Sequence, residues 1–217
     1  MPTVTIIDYG RSNLLSVQRA LEFCGAQVAF ASDPQQVLEA EALVLPGVGS
    51  FADGMSMLRQ RGLEKAILAK AEQGTPFLGI CLGMQMLLDS SPEGGFTKGL
   101  GLIAGPVLPL ESADVQGQPL RVPHVGWGGL FCAGERSDFS GSPLEKIRPG
   151  EETYFVHSYQ ACPARKQDYL AYTPYGGRPV CAAVHRENVT GVQFHPEKSG
   201  EVGLAILRGF LSRCPGV

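Results

Sequence analysis

The chain has 217 residues, 44% of them hydrophobic and 18% charged, a balance that predicts a single folded α/β domain over residues 1–217 and excludes a disordered chain. Its net charge of -3, with Lys and Arg scattered, leaves no basic field for nucleic acid. The six cysteines form no CxxC pair and the opening MPTVTIIDYG is too short an apolar run for a signal peptide or membrane span, so the expectation is a cytoplasmic protein with reduced thiols, no metal and no membrane contact.

Val4 to Asp8 is a β-branched run ending before Gly10, and Leu14, Leu15, Val17 and Leu21 then recur at helical spacing until Gly25, which predicts strand, loop and helix. Gln27 to Ala31 reads as a second strand, Pro34 to Ala40 as a short helix, and Ala42 to Pro46 as a buried third strand. Phe51 to Glu72 is helical with a break near Gly62, and Pro76 to Ile80 is a fourth strand. Strands alternating with helices imply a parallel sheet.

Between Gly94 and Pro123 the pattern breaks into short apolar pieces with Gly and Pro, as hairpins beside the main sheet would. Three further strands are expected around Tyr154 to Val156, Val180 to Val184 and Val189 to Phe194, then a helix from Val202 to Arg213.

The sharpest local feature is Gly79-Ile80-Cys81-Leu82-Gly83, where the fourth strand meets a helical stretch from Met84 to Asp89. Glycines two residues either side of a nucleophile leave room for the tight turn that lifts its side chain above the sheet. A helix N-terminus favours thiolate over thiol and offers backbone N–H groups to an oxyanion. A base is supplied by Phe194-His195-Pro196-Glu197: in extended backbone His195 and Glu197 project to one face, so the carboxylate can hold one imidazole nitrogen while the other faces Cys81. Pro46-Gly47-Val48-Gly49 follows the third strand, and its glycines allow an N–H to turn toward a ligand. With Leu82 it would complete an oxyanion hole through Val48 and Gly49. No phosphate-binding or dinucleotide motif is present, so no cofactor is expected.

Together the elbow Gly79 to Gln85, the loop Pro46 to Gly49 and Phe194 to Glu197 resemble the class I (triad) glutamine amidotransferases. Within them the chain is similar to the glutaminase subunit of imidazole glycerol phosphate synthase, through Asp8-Tyr9-Gly10, Val122 to Trp127, Tyr154 to Tyr159 and Gln193 to Gly200, so the likeness spans nearly the whole length. That resemblance implies a flavodoxin-like fold with a smaller antiparallel portion. It implies Cys81 as nucleophile, His195 as general base and acid, Glu197 as support, and Gly47, Gly49, Gln85, His157, Ser158 and Tyr159 around the glutamine. It further implies a heterodimer with a (β/α)8-barrel cyclase of histidine biosynthesis that receives ammonia through a channel, with Asn13, Trp127 and Lys198 near the interface.

Two positions depart from the family pattern: Gly10-Arg11-Ser12-Asn13 replaces the usual Gly-x-Gly-Asn, and Trp127-Gly128 the usual Trp-Asn. A paralogue serving another synthase, such as an amidating enzyme of surface-polysaccharide sugars, would show the same combination. A partner-independent cysteine hydrolase and a non-catalytic regulatory or scaffolding subunit are the alternatives from other classes. Trp127 itself fits core packing as well as an interface.

Overall fold

The computed structural model describes residues 1–10 and 13–216. In chain order the elements are β1 (Thr3–Ile7), α1 (Leu14–Phe23), β2 (Gln27–Ala31), α2 (Pro34–Glu39), β3 (Leu43–Gly47), α3 (Phe51–Gln60), α4 (Leu63–Glu72), β4 (Phe77–Cys81) and α5 (Leu82–Met86). Then follow short strands β5 (Ser90–Ser91), β6 (Thr97–Lys98) and β7 (Val107–Pro109), β8 (His124–Gly129), β9 (Phe131–Cys132), β10 (Glu152–His157), β11 (Tyr159–Ala161), β12 (Tyr169–Tyr175), β13 (Arg178–Arg186), β14 (Val189–Val192) and α6 (Gly200–Leu211).

The main sheet has the order β2-β1-β3-β4-β14-β13-β12-β9. Its first five strands run parallel, and β13, β12 and β9 continue it antiparallel. The parallel part has the flavodoxin-like order, and in such sheets ligands bind beyond the carboxyl ends of the strands. Three two-stranded antiparallel pieces stand beside it: β8 with β10, β7 with β11, and β5 with β6.

The central strands β3 and β4 read as unbroken apolar runs because both faces are covered. Leu43 and Leu45 of β3 pack with Phe51, Met55, Leu58, Leu63 and Ile67 of α3 and α4. Their neighbours Ala42 and Val44 pack on the other face with Val17 and Leu21 of α1 and Ile206, Leu207 and Phe210 of α6. The break between α3 and α4 falls at Gly62, whose φ of +70° is the left-handed conformation that glycine adopts without strain.

Two expectations need correction. The helix after the fourth strand covers Leu82–Met86 rather than Met84 to Asp89, because it begins at once on the turn that the elbow makes. The antiparallel part holds β8 and β12, which periodicity did not reveal. Register shifts between Tyr169 and Ala171 and between Ala171 and Tyr172 break the alternation of β12, and β8 carries three glycines, which weaken any strand signal. Among the described residues no helix is long and apolar enough to cross a membrane, no cluster of His, Cys, Asp or Glu could hold a metal ion, and all six cysteines are free.

Candidate active site

Cys81 ends β4 and caps α5 with φ 55° and ψ -111°, a sparsely populated conformation for a side-chain-bearing residue, and one that persists only where its surroundings dictate it. The surroundings are the two glycines. A Cβ on Gly79 would lie 2.8 Å from the Gly83 carbonyl oxygen, and one on Gly83 only 1.7 Å from the Leu45 carbonyl oxygen. Gly47, opposite Cys81 in the β3–β4 register, is equally confined: its Cβ would meet the Tyr9 hydroxyl at 2.5 Å and Leu82 Cβ at 2.9 Å. The thiol itself is 8% exposed.

Beside β4 runs β14, with Val192 level with Ile80, so the chain leaving β14 passes next to Cys81. His195 is extended (φ -101°, ψ 96°) and its peptide is tied down on both sides. Its N–H donates to the Tyr154 carbonyl at 2.9 Å, and its carbonyl accepts from Ser199 Oγ at 2.6 Å. Glu197 returns to the imidazole through a 3₁₀ turn at Pro196–Lys198, not along extended backbone as the sequence pattern suggested, because Pro196 opens that turn. Its Oε1 lies 2.9 Å from His195 Nδ1, with side chains 1% and 4% exposed respectively.

Burial pulls the His195 pKa down, while the neighbouring Cys81 thiol and Glu197 carboxylate raise it more strongly, to about 9. With Nδ1 engaged, Nε2 is the free nitrogen; it is buried and makes no hydrogen bond in this resting geometry.

A cavity of about 300 Å³ opens over these groups, a size that suits a small polar molecule. Its lining includes Cys81, Leu82, Gln85 and His195 from the strand ends, Val48 and Gly49 from the loop after β3, and Val156, His157, Ser158 and Tyr159 from the β10–β11 segment. Gly47 does not line it, being packed behind Leu82, and Glu197 stands behind His195. Gly49 has φ +103° with open space around its Cα, so the tip of that loop is as free as its root is fixed.

The wall is held by two polar contacts to one backbone oxygen. The Tyr159 carbonyl accepts from Gln85 Nε2 at 3.1 Å and from His157 Nδ1 at 2.8 Å. His157 Nε2 is in turn 3.2 Å from Nδ1 of His124, which is stacked between Phe155 and Tyr175. Burial above all holds the His157 pKa down to about 4, so this ring is neutral at pH 7.

The chain matches the family Glutamine amidotransferase class-I over residues 5–214. It is 47% identical over 211 residues to Imidazole glycerol phosphate synthase subunit HisH 1 of Legionella pneumophila (strain Lens), covering 97% of this chain and 99% of the relative. Subunit HisH of Geobacillus thermodenitrificans (strain NG80-2) is 44% identical, with 100% and 98% covered. The chain belongs to the class-I glutamine amidotransferases, in the HisH line of imidazole glycerol phosphate synthase subunits. It is thus an enzyme subunit of the glutamine amidotransferase kind. Among solved structures, one described as PurLQS from Thermotoga maritima superposes with a TM-score of 0.73 at 21% identity, covering 97% of this chain and 98% of that one, which shows the shared fold.

For a glutamine amidotransferase, the structure adds three residues that the sequence pattern left out. Glu93 lines the cavity and its Oε2 accepts the Phe51 N–H at 2.7 Å; this contact joins distant segments and leaves no local signature. Pro123 also lines the cavity. Gln193 is fully buried with its Nε2 3.7 Å from Cys81 Sγ; it stands just past the end of β14, two residues before His195, and that nearness was a readable sign.

The segments expected at an interface lie on the surface. Trp127 is 55% exposed against the edge of Tyr154, so it is not a core residue. Two residues before it on β8, Val125 is paired with Val156 of β10, and both are exposed. Lys198 is exposed and Asn13 half-buried, with Asn13 Oδ1 accepting from Ser16 Oγ at 2.9 Å. Arg11 and Ser12 lie outside the described residues. At Gly128 a Cβ would stand 2.5 Å from Thr173 Oγ1, so an asparagine there would need the Thr173 side chain to move.

Proposed function

We propose that this HisH-family chain hydrolyses glutamine to glutamate and ammonia through Cys81, His195 and Glu197, and delivers the ammonia to a (β/α)8-barrel cyclase partner that forms imidazole glycerol phosphate and aminoimidazole-carboxamide ribonucleotide in histidine biosynthesis. The observation that carries this reading is the meeting of the Cys81 elbow and His195, backed by Glu197, at one cavity.

The Cys81 thiolate attacks the side-chain amide carbon of glutamine, and the N–H groups of Leu82 and of the Val48-Gly49 loop receive the oxyanion. A pKa near 9 keeps His195 protonated at neutral pH, so it can give its Nε2 proton to the amide nitrogen as the C–N bond breaks. Ammonia leaves and a thioester remains. Neutral His195 then takes a proton from water, the hydroxide adds to the thioester, and the C–S bond breaks to give glutamate and the thiolate. Glu197 holds the ring through Nδ1 and stabilises its cationic form. Glu93 is suited to the α-ammonium group of glutamine, while Gln85 and the His157 to Tyr159 backbone shape the wall. No cofactor is required.

Ammonia released into water becomes ammonium and is no longer nucleophilic, so its use depends on a shielded path into a partner. The exposed apolar face of Val125, Trp127 and Val156 adjoins the cavity and supports docking there, with Lys198 and Asn13 at its margin. The single domain, residues 1–217, then supplies the glutaminase half of a cytoplasmic heterodimer.

The test is glutamine hydrolysis by the chain alone, and with the cyclase from the same organism plus its ribonucleotide ligand. A rise that needs both the cyclase and Cys81 is the expected result; an active Cys81→Ala variant would remove the nucleophile, and an intact site indifferent to the cyclase would reassign the partner.

A further inference from the structure

The sulfur of Cys81 has two polar neighbours besides His195. The Val156 carbonyl oxygen lies 3.9 Å away, and Gln193 Nε2 lies 3.7 Å away. A carbonyl can only accept, so the first contact favours the protonated thiol, while an amide N–H favours the thiolate. Which end of the Gln193 amide faces the sulfur therefore decides its chemical effect.

An amide can be turned end for end with little change in shape, and its orientation follows from its partners. Gln193 Oε1 lies 2.9 Å from Gln85 Nε2, and the same Nε2 lies 3.1 Å from the Tyr159 carbonyl. That carbonyl must be met by a donor, so Gln85 presents its amino group. The second N–H of this amino group goes to Gln193, which meets it with oxygen and turns its own amino group to the sulfur. His157 Nδ1 fills the other side of the Tyr159 oxygen at 2.8 Å, so the anchor of the chain is itself held. Gln85 thus donates to both sides, to the backbone carbonyl and to Gln193, and Gln193 donates on to the nucleophile, both glutamines being buried.

We infer that Gln193 is a further catalytic residue of the glutaminase reaction: its side-chain N–H, aimed by Gln85 and the Tyr159 carbonyl, donates to the Cys81 sulfur and stabilises the attacking thiolate. This deepens the proposed function and rests on Cys81 being the nucleophile. The N–H opposes the Val156 carbonyl, keeps the sulfur charged next to protonated His195, and is available again when the thioester breaks and the thiolate returns.

The experiment is the pH dependence of Cys81 alkylation by iodoacetamide in the full chain, read by mass spectrometry of the Cys81 peptide, which excludes the other five cysteines. Of the other titratable groups near the sulfur, His157 titrates near pH 4 and burial raises Tyr9 well above its usual range, so His195, backed by Glu197, is the one that shares the window. Gln193→Met removes donor and acceptor at similar volume; Gln193→Glu keeps the acceptor for Gln85 and removes the donor. The alkylation midpoint moves up by roughly one pH unit in the first variant and further in the second, with kcat for glutamine lowered about tenfold and KM nearly unchanged. Midpoints equal to the wild type in folded variants overturn the inference.

Should both variants fail to fold, the wild type labelled with ¹⁵N-glutamine gives the answer. The Gln193 side-chain amide signals shift through the Cys81 titration, and signals indifferent to it overturn the inference equally. Alkylation and amide shifts read the contact without turnover, so an active Cys81→Ala variant, which would sink the nucleophile assignment, remains a separate outcome.

Discussion

The two parts of the main sheet do different work. In the parallel part, β3, β4 and β14 are buried along their whole length, and their ends bring Gly47, Cys81 and His195 together by steric confinement of the backbone. In the antiparallel part and the β8–β10 layer, faces alternate between buried and exposed, and the contribution is polar: the His124–His157 pair, the Tyr159 carbonyl and the cavity wall. The groups proposed to react thus stand where the chain has least freedom, and those proposed to hold glutamine where backbone polar atoms are available to fix them.

That contrast can be broken first at its glycines. Gly83→Ala drives a methyl into the Leu45 carbonyl of a strand paired on both sides, and costs about 4 kcal/mol or more in denaturant unfolding. Gly128→Ala in β8 meets a side-chain hydroxyl of Thr173 at 2.5 Å, and that side chain can turn, so about 1–2 kcal/mol is expected. Equal losses would mean that both parts are equally confined.

The polar side is tested by acid. His157 is held to about 4 when folded, below the unfolded value of about 6.5, so the stability that its neutral form contributes is complete above pH 6.5 and is lost as pH falls through 4. The loss amounts to about 3 kcal/mol, and His157→Gln flattens it. His195, raised to about 9, acts oppositely: its contribution is complete below about pH 6.5 and is lost as pH rises through 9. Unfolding free energies at a series of pH values measure both, and an acid limb unchanged by His157→Gln would remove the pair from the account.

The smallest effect sits between the two parts. The Tyr9 hydroxyl is fully buried beside Gly47 and has no hydrogen-bond partner, which costs the fold some of its desolvation energy. Tyr9→Phe raises the Tm by about 2 °C; a fall instead would show that the hydroxyl holds the root of the loop after β3.

The same division explains what the sequence made legible. Apolar runs closed by Gly or Pro identified β1 to β4 and the helices between them, most clearly β3 and β4, because a strand buried on both faces has no other composition open to it. Cys81 stood out through its flanking glycines and His195 through the strand end that carries it. β12 was hidden by its irregular register and β8 by its glycines. Glu93 and the His124–His157 contact were hidden because each is completed by a residue far along the chain, and no local spacing encodes such a meeting. Gln193 fell between these cases: its nearness to His195 was readable, but its purpose depended on the orientation of Gln85.

The positive φ of Cys81 sets stability against use. Glycine would adopt that turn without strain, so a chain selected for foldedness alone would gain by giving up its thiol. The elbow therefore places this fold on the functional side of that trade-off: a Cys81→Gly chain would be the better-behaved protein and the inert one.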